Sequence, residues 1–214
     1  MAFLPFMIDL TDKKVVIVGG GRVAERRIRF LLESGAYMTV ISPEIDEGVR
    51  MLWEEGYVSW KQKHIEANDL LHAFLIIVAT NNPTVNQAVT KAVPETSLVN
   101  AAADAEQGNV QFPAHLQQGK LSIGIATNGA SPILAAKIKT KLATIYDKSY
   151  GEYVDFLYES RQLIKRSLLT QKVRTLLLKE LMDESFLNKQ KQIITLDWLK
   201  NLVKEEEHDG VNRK

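Results

Sequence analysis

Apolar residues in the first half of the chain fall into short unbroken runs, each followed by a polar or glycine-bearing break and then by apolar positions at helical spacing. Val15, Val16, Ile17 and Val18 form the first run, and Ala24, Ile28, Leu31 and Leu32 recur behind it. A run without alternation needs cover on both faces, the condition of a central parallel strand. The recurring set marks a helix that turns one side toward that strand. The same succession predicts a second strand at Met38 to Ser42, a helix from Ile45 to Glu54 with Ile45, Val49 and Leu52 on one face, and a third strand near Tyr57 to Trp60. Phe74 to Ala79 (FLIIVA) reads as another doubly covered strand, and Thr80 to Pro83 as the start of a helix through Val93. Ser97 to Asn100 reads as a short strand before a loop of small and polar residues over Ala101 to Gln111. Strands alternating with helices in this way predict an α/β fold with a doubly wound parallel sheet.

The pattern then changes. Leu121 to Ala126 (LSIGIA) alternates with period two, as in a strand with one face covered and one free to pair elsewhere. Ser131 and Pro132 suit the N-cap and first position of a helix running to about Tyr146. From Glu152 onward the chain reads as helical, with Tyr153, Phe156, Leu157, Leu163 and Ile164, then Val173, Leu176, Leu177 and Leu181, then Leu196, Leu199 and Leu202 as apolar faces. Those faces need a partner, either the rest of the chain or another subunit. The final KEEEHDGVNRK has no apolar face and is expected to fray.

The break after the first run is chemically informative. In VVIVGGGRVA, residues Val15 to Ala24, a strand meets three glycines and a helix begins. Gly19 suits a turn closed to other residues, Gly21 lets a pyrophosphate approach the backbone, and Ala24 is small enough for the helix to lie on the strand. Phosphates would then sit on free helix N–H groups. The strand before and the helix after make this a Rossmann-type dinucleotide site.

Composition narrows the function further. With 27 basic and 26 acidic residues the net charge is +1, so no global field draws nucleic acid or an anionic membrane. The Lys165, Arg166, Lys172 and Arg174 cluster is the best candidate for a basic recognition surface, and it reads as a solvated helix face. The chain has no cysteine, which excludes disulfides, thiolate metal sites and cysteine nucleophiles. His64, His72, His115 and His208 show no ligand spacing, so no tight metal site is expected. The apolar start MAFLPFMIDL lacks a basic leader and meets Pro5, Asp9 and Asp12, and no stretch is long enough to span a bilayer. The expected location is cytoplasmic.

Three phrases together carry a resemblance: LPFMIDLTDKKVVIVGGGRVAERRIRFLLESGAYMTVISPEI, then ATNNPTVNQAV, then NGASPILAAKIK. The chain resembles the precorrin-2 dehydrogenases of sirohaem synthesis, including the N-terminal module of multifunctional sirohaem synthases and the dehydrogenase/ferrochelatase proteins. The likeness covers roughly residues 1 to 145, and its discriminating pieces are the Leu-Pro-x-x-x-x-Leu opening and the Ser131-Pro132 segment. It implies NAD-dependent oxidation of precorrin-2 to sirohydrochlorin, followed in some members by iron or cobalt insertion. It also implies a homodimer with an NAD-binding Rossmann domain (1–113), a dimerisation region (114–148) and a small C-terminal helical domain with a frayed tail (149–214).

Residue by residue, Gly19, Gly20, Gly21, Arg22 and Val23 match the family's pyrophosphate loop. A carboxylate is expected at the end of the second strand to hold the ribose of NAD, but Ser42 stands there, and Glu44 is the only acid within reach. The resemblance places the adenosine end around Pro43 and Glu44. Arg22, within the turn, fits pyrophosphate better than a 2′-phosphate, which favours NAD over NADP. Thr80 and Asn81 sit at the ligand-binding edge of the sheet, where they suit either the cofactor or a helix cap.

Asp104 is the expected catalytic base, since dehydrogenation releases a proton as well as a hydride. Glu106 is the fallback, and an ungapped match to the family's acid falls on Ala103. Asn100 is a candidate for substrate contact or for tying down its own loop, and His115 is the histidine best placed for the cleft. Thr127, Asn128 and Ser131, beside a helix N-terminus, suit the carboxylate arms of a tetrapyrrole. Lys137, Lys139 and Lys141 read as a solvated face. Two readings compete with the dehydrogenase: an NAD(H)-binding redox sensor that turns over no substrate, and a dehydrogenase of another small molecule.

Overall fold

The computed structural model describes residues 3–104 and 107–211, the stretch 206–211 as backbone alone. The chain divides between Phe112 and Pro113 into two compact units.

The first unit is built on a five-stranded parallel sheet: β1 (Lys14–Val18), β2 (Tyr37–Ile41), β3 (Ser59–Lys61), β4 (Leu75–Val78) and β5 (Leu98–Ala101), in the order β3-β2-β1-β4-β5. Central β1 pairs Val15 with Met38 on one side and with Leu75 on the other. Its successive side chains go to opposite faces. Val15 and Ile17 join Leu75, Ile77, Met38 and Val40 under helices α1 (Arg22–Leu31) and α2 (Glu47–Glu54), which contribute Ala24, Ile28, Val49 and Leu52. Val16 and Val18 join Ile41, Ile76, Val78 and Val99 beneath Leu70 and Val89, the latter on α3 (Pro83–Ala92). Both faces are covered, which is why these strands read as continuous apolar runs.

The predicted elements are present, with local corrections. The second helix begins at Glu47, because Asp46 takes its N-cap. The third helix is capped by Asn82, whose side chain accepts from Thr84 and Val85 N–H, so Thr80 and Asn81 stay outside it. No α-helix joins β3 to β4; a single 3₁₀ turn at Ala67–Leu70 makes the crossover and buries Leu70.

The second unit begins with an antiparallel hairpin, β6 (Ala114–Gln118) and β7 (Leu121–Ile125), followed by α4 (Pro132–Ile145), α5 (Lys148–Arg166), α6 (Gln171–Glu180) and α7 (Lys189–Val211). Strand β6 has no counterpart in the sequence reading. AHLQQ carries one buried apolar residue, Leu116, and becomes a strand by pairing with β7. The hairpin turn rests on α5, where Asp155 accepts from the Lys120 N–H at 3.0 Å and Gly151 admits the backbone of Gln118. Tyr153, Phe156, Ile164, Leu181, Phe186 and Leu199 form the helical core, with Phe156 stacked between Tyr153 and Phe186.

Two expectations for this unit change. Arg174 is not part of a solvated face: it is half-buried and donates to the Ser167 carbonyl at 2.5 Å, closing the end of α5. The polar tail is helical as far as Val211. Lys137, Lys139 and Lys141 are exposed as expected. Among the described residues no helix is long and apolar enough to cross a membrane.

Truncating Ile77, fully buried in β4 on the sheet face under α1 and α2, to alanine is expected to cost about 2–5 kcal/mol in urea unfolding followed by circular dichroism.

Candidate active site

Strand order reverses between β1 and β4, and ligands of open parallel sheets bind beyond the strand ends at such a point. The chain leaves β1 through Gly19, Gly20 and Gly21, which differ in what surrounds them. Gly19 has φ +110°, and a Cβ there would stand 2.5 Å from the Ala79 carbonyl oxygen. A Cβ on Gly20 would stand 2.4 Å from the Glu44 carbonyl oxygen and 2.7 Å from Ile45. At Gly21 the nearest atom is the Asp46 Oδ2, 3.7 Å away. Two glycines are therefore required by the protein's own neighbours, and the third leaves open space beside the start of α1.

Gly21 is the N-cap of α1 without any side-chain cap, and Arg22 and Val23 follow it as exposed first-turn residues. Uncapped N–H groups beside a gap suit a diphosphate. The expected cofactor residues Gly19 to Val23 are thus contiguous with the exposed Pro43 and Glu44, whose segment lies against the turn. Glu44 is not the only acid within reach, however. Asp46, past a buried Ile45, brings its carboxylate to Gly21, an approach that depends on how the end of β2 folds over the turn.

A cavity of about 320 Å³ opens at the ends of β4 and β5, lined by Val78, Thr80, Asn81, Pro83, Asn86, Ala101, Ala103, Asp104 and Gln107. The structure thus brings together Thr80, Asn81 and Asp104. Thr80 Oγ1 donates to Asn86 Oδ1 at 2.5 Å, and Asn86 Nδ2 donates back to the Thr80 carbonyl at 3.1 Å. Gln107 Nε2 donates to Asp104 Oδ2 at 2.9 Å, and Gln107 N to the Asp104 carbonyl at 3.1 Å. Ala103 and Asp104 share the wall, so a one-residue shift in the loop leaves a carboxylate at the same cavity. Asn86 and Gln107 were missed by the sequence reading, because an amide that orients another side chain carries no spacing signal of its own.

Asn100 is buried, and its Nδ2 donates to the Val110 carbonyl at 3.0 Å. Together with Asn109, which accepts from Val99 N–H and donates to the Ser97 carbonyl, it pins the returning loop against β5. Its Nδ2 ties the loop, while its buried Oδ1 has no hydrogen-bond partner among the described residues and stays available for substrate contact. Glu106 lies outside the described residues, and so does the side chain of His208.

The remaining candidates belong to the second unit. His115 is on β6 with Nε2 at 2.8 Å from Ser122 Oγ across the hairpin. Asn128 (φ +47°) and Gly129 (φ +85°) turn the chain after β7. Thr127 Oγ1 accepts from Ser131 N–H at 3.1 Å, and Ser131 Oγ caps α4 by accepting from Leu134 N–H at 3.1 Å. His64 and His72 are exposed. Among the described residues no three His, Asp or Glu side chains converge as a metal-binding group.

Comparison with known proteins agrees with this layout. An NAD(P)-binding family model matches residues 6–114, a sirohaem biosynthesis protein central model residues 118–144, and a SirC C-terminal domain model residues 150–193. The precorrin-2 dehydrogenase of Priestia megaterium is 40% identical over 180 residues, covering 84% of this chain and 89% of that protein. That of Bacillus subtilis (strain 168) is 36% identical over 159 residues, covering 74% of this chain and 98% of that protein. A siroheme synthase of Actinobacillus pleuropneumoniae is 32% identical across 81% of this chain but only 36% of its own length. The solved structure of SirC, a precorrin-2 dehydrogenase, superposes with a TM-score of 0.82 at 38% identity, covering 93% of this chain and all of that one.

The three glycines are expected to separate experimentally. Gly19→Ala, forced into a left-handed backbone against Ala79, is expected to lose about 1–3 kcal/mol or more of stability. Gly21→Asp is expected to melt near the parent temperature while losing dinucleotide binding by calorimetry.

Proposed function

The chain belongs to the precorrin-2 dehydrogenase and sirohaem synthase family, and from that premise we propose that it oxidises precorrin-2 to sirohydrochlorin with NAD. It is an oxidoreductase with a nicotinamide cofactor. The observation that carries the reading is the carboxylate of Asp104 on a cavity at the ends of β4 and β5, in the same sheet edge as the glycine turn that leaves β1.

The open space at Gly21 and the uncapped start of α1 fit the diphosphate of the cofactor, with Gly19 to Val23 holding it and Pro43 and Glu44 near its adenosine end. Bound there, NAD supplies the hydride acceptor. Asp104 would take up the proton that the substrate gives up in this two-electron oxidation, which releases one hydride and one proton. Gln107 fixes the orientation of that carboxylate through its Nε2–H. Asn86 fixes Thr80, which keeps Thr80 and Asn81 on the cavity wall. Sirohydrochlorin and its precursor carry acetate and propionate arms. Thr127, Asn128 and Ser131, at the N-terminus of α4, are assigned to these arms, with His115 as a further polar contact. Asn100 is assigned to substrate contact through its unpartnered Oδ1, with its Nδ2 holding the loop.

The working form is a homodimer, placed in the cytoplasm, without nucleic-acid or membrane partners. Helix α4 supports the assembly. Of its residues only Ala135 is buried, while Ile133, Leu134, Ile138 and Ile145 are exposed, Ile133 at 83%. A helix of this length gains little stability in isolation, and its apolar stripe needs cover. A second copy supplies that cover.

Two outcomes test the proposal. In an anaerobic assay with precorrin-2 and NAD, Asp104→Asn is expected to lower kcat by about 10²–10⁴-fold with cofactor affinity retained. Absence of turnover by the parent protein, despite NAD binding, would favour a redox sensor. Leu134→Glu combined with Ile138→Glu is expected to yield a monomer by light scattering, and an unchanged mass would refute the placement of the interface.

A further inference from the structure

We propose that Asp46, not Glu44, is the acid that receives the adenosine ribose and selects NAD against its 2′-phosphorylated form. The inference rests on the reading that the glycine turn binds a dinucleotide. The end of β2 is where a parallel-sheet dinucleotide site places a ribose-binding carboxylate, but Ser42 stands at that end, its carbonyl taken by Trp60 Nε1 at 2.9 Å. The chain then folds across the glycine turn. Glu44 meets Gly20 through its backbone carbonyl, Ile45 is buried against the same glycine, and the Asp46 N–H donates to the Gly20 carbonyl at 2.8 Å. These contacts fix Asp46 beside the turn from the backbone outward.

Its side chain behaves unusually for its position. Asp46 is the N-cap of α2, with extended backbone angles, yet its carboxylate accepts no hydrogen bond from the helix. An N-cap aspartate ordinarily satisfies such an N–H and stabilises the helix by about 1 kcal/mol. Here Oδ2 instead stands 3.7 Å from where a Gly21 Cβ would be, at the edge of the open space assigned to the diphosphate. A carboxylate there can accept from both hydroxyls of a ribose attached to that diphosphate, since it is acceptor-only and has lone pairs for two donors.

The surroundings oppose a third phosphate. Glu25, in the first turn of α1, lies so close to Gly48 on α2 that a Cβ there would overlap its carboxylate, so a second acid sits between the two helices. Arg29 and Arg50, on the same helices, are paired with Glu25 at 2.8 Å and Glu47 at 3.7 Å. Arg22, the exposed first residue of α1, is the one assigned to the diphosphate. A dianionic 2′-phosphate beside Asp46 meets like charge from Asp46 and Glu25.

Calorimetric titration of the intact protein with NAD and with NADP separately, without tetrapyrrole, tests this. The parent is expected to prefer NAD by about tenfold or more, as for a hydrogen-bonded charged group. Asp46→Asn, which keeps a good N-cap residue, is expected to weaken NAD and strengthen NADP until the preference is lost. Glu44→Gln, at the adenosine end, is expected to change the affinity for both nucleotides together, so that the ratio between them stays as in the parent. An Asp46→Asn protein that melts like the parent but keeps the preference overturns the proposal, as does its collapse in Glu44→Gln. Failure of the parent to bind either nucleotide overturns the dinucleotide reading itself.

Discussion

Where β1 ends, there is no room for side chains. Gly19 is pressed against the carbonyl of Ala79 at the end of β4, and Gly20 against Glu44 and Ile45 beyond the end of β2. These two contacts join the ends of three neighbouring strands at one place, and the open side of Gly21 exists because the turn is held there. The site is therefore a consequence of close backbone approach, with polar side chains added around it.

The sheet makes that approach dependable. Val15 and Ile17 are held by one helical layer and Val16 and Val18 by the other, so β1 cannot shift without exposing apolar surface on both sides. Full burial of each such side chain contributes roughly 1.5–3 kcal/mol. The rigid strand ends then carry the polar work: Asn82 caps α3 and leaves Thr80 and Asn81 to the cavity, while Asn100 and Asn109 pin the loop that presents Asp104. Amides serve here as fasteners. Asn109 uses both its acceptor and its donor, and so ties the loop on two sides without adding charge near the reacting groups.

The second unit is organised differently. Its helical core rests on a ladder of aromatic rings from Tyr146 through Tyr150, Tyr153 and Phe156 to Phe186, and the hairpin is fastened to α5 at Gly151 and Asp155. Helix α4, by contrast, leaves its apolar stripe uncovered within one chain.

Much of this was legible in the amino-acid order. Continuous apolar runs gave β1 and β4, helical periodicity gave α1 and α2, and Ser131-Pro132 marked the start of α4, because burial and capping are local demands that leave local patterns. The glycine turn was readable for the same reason. The hairpin strand β6 was not, since AHLQQ is a strand only by virtue of its partner, and Arg174 looked like a surface charge until the fold brought Ser167 to it. Asp104 was visible as an acid near a strand end, whereas Gln107 and Asn86, which hold the cavity wall, were not. The sequence by itself determined which segments are buried, which turn must be glycine and which cofactor class suits that turn. Only the tertiary structure decided which acid reaches the turn and which amides align the cavity, because those relations are distances between segments far apart in the chain.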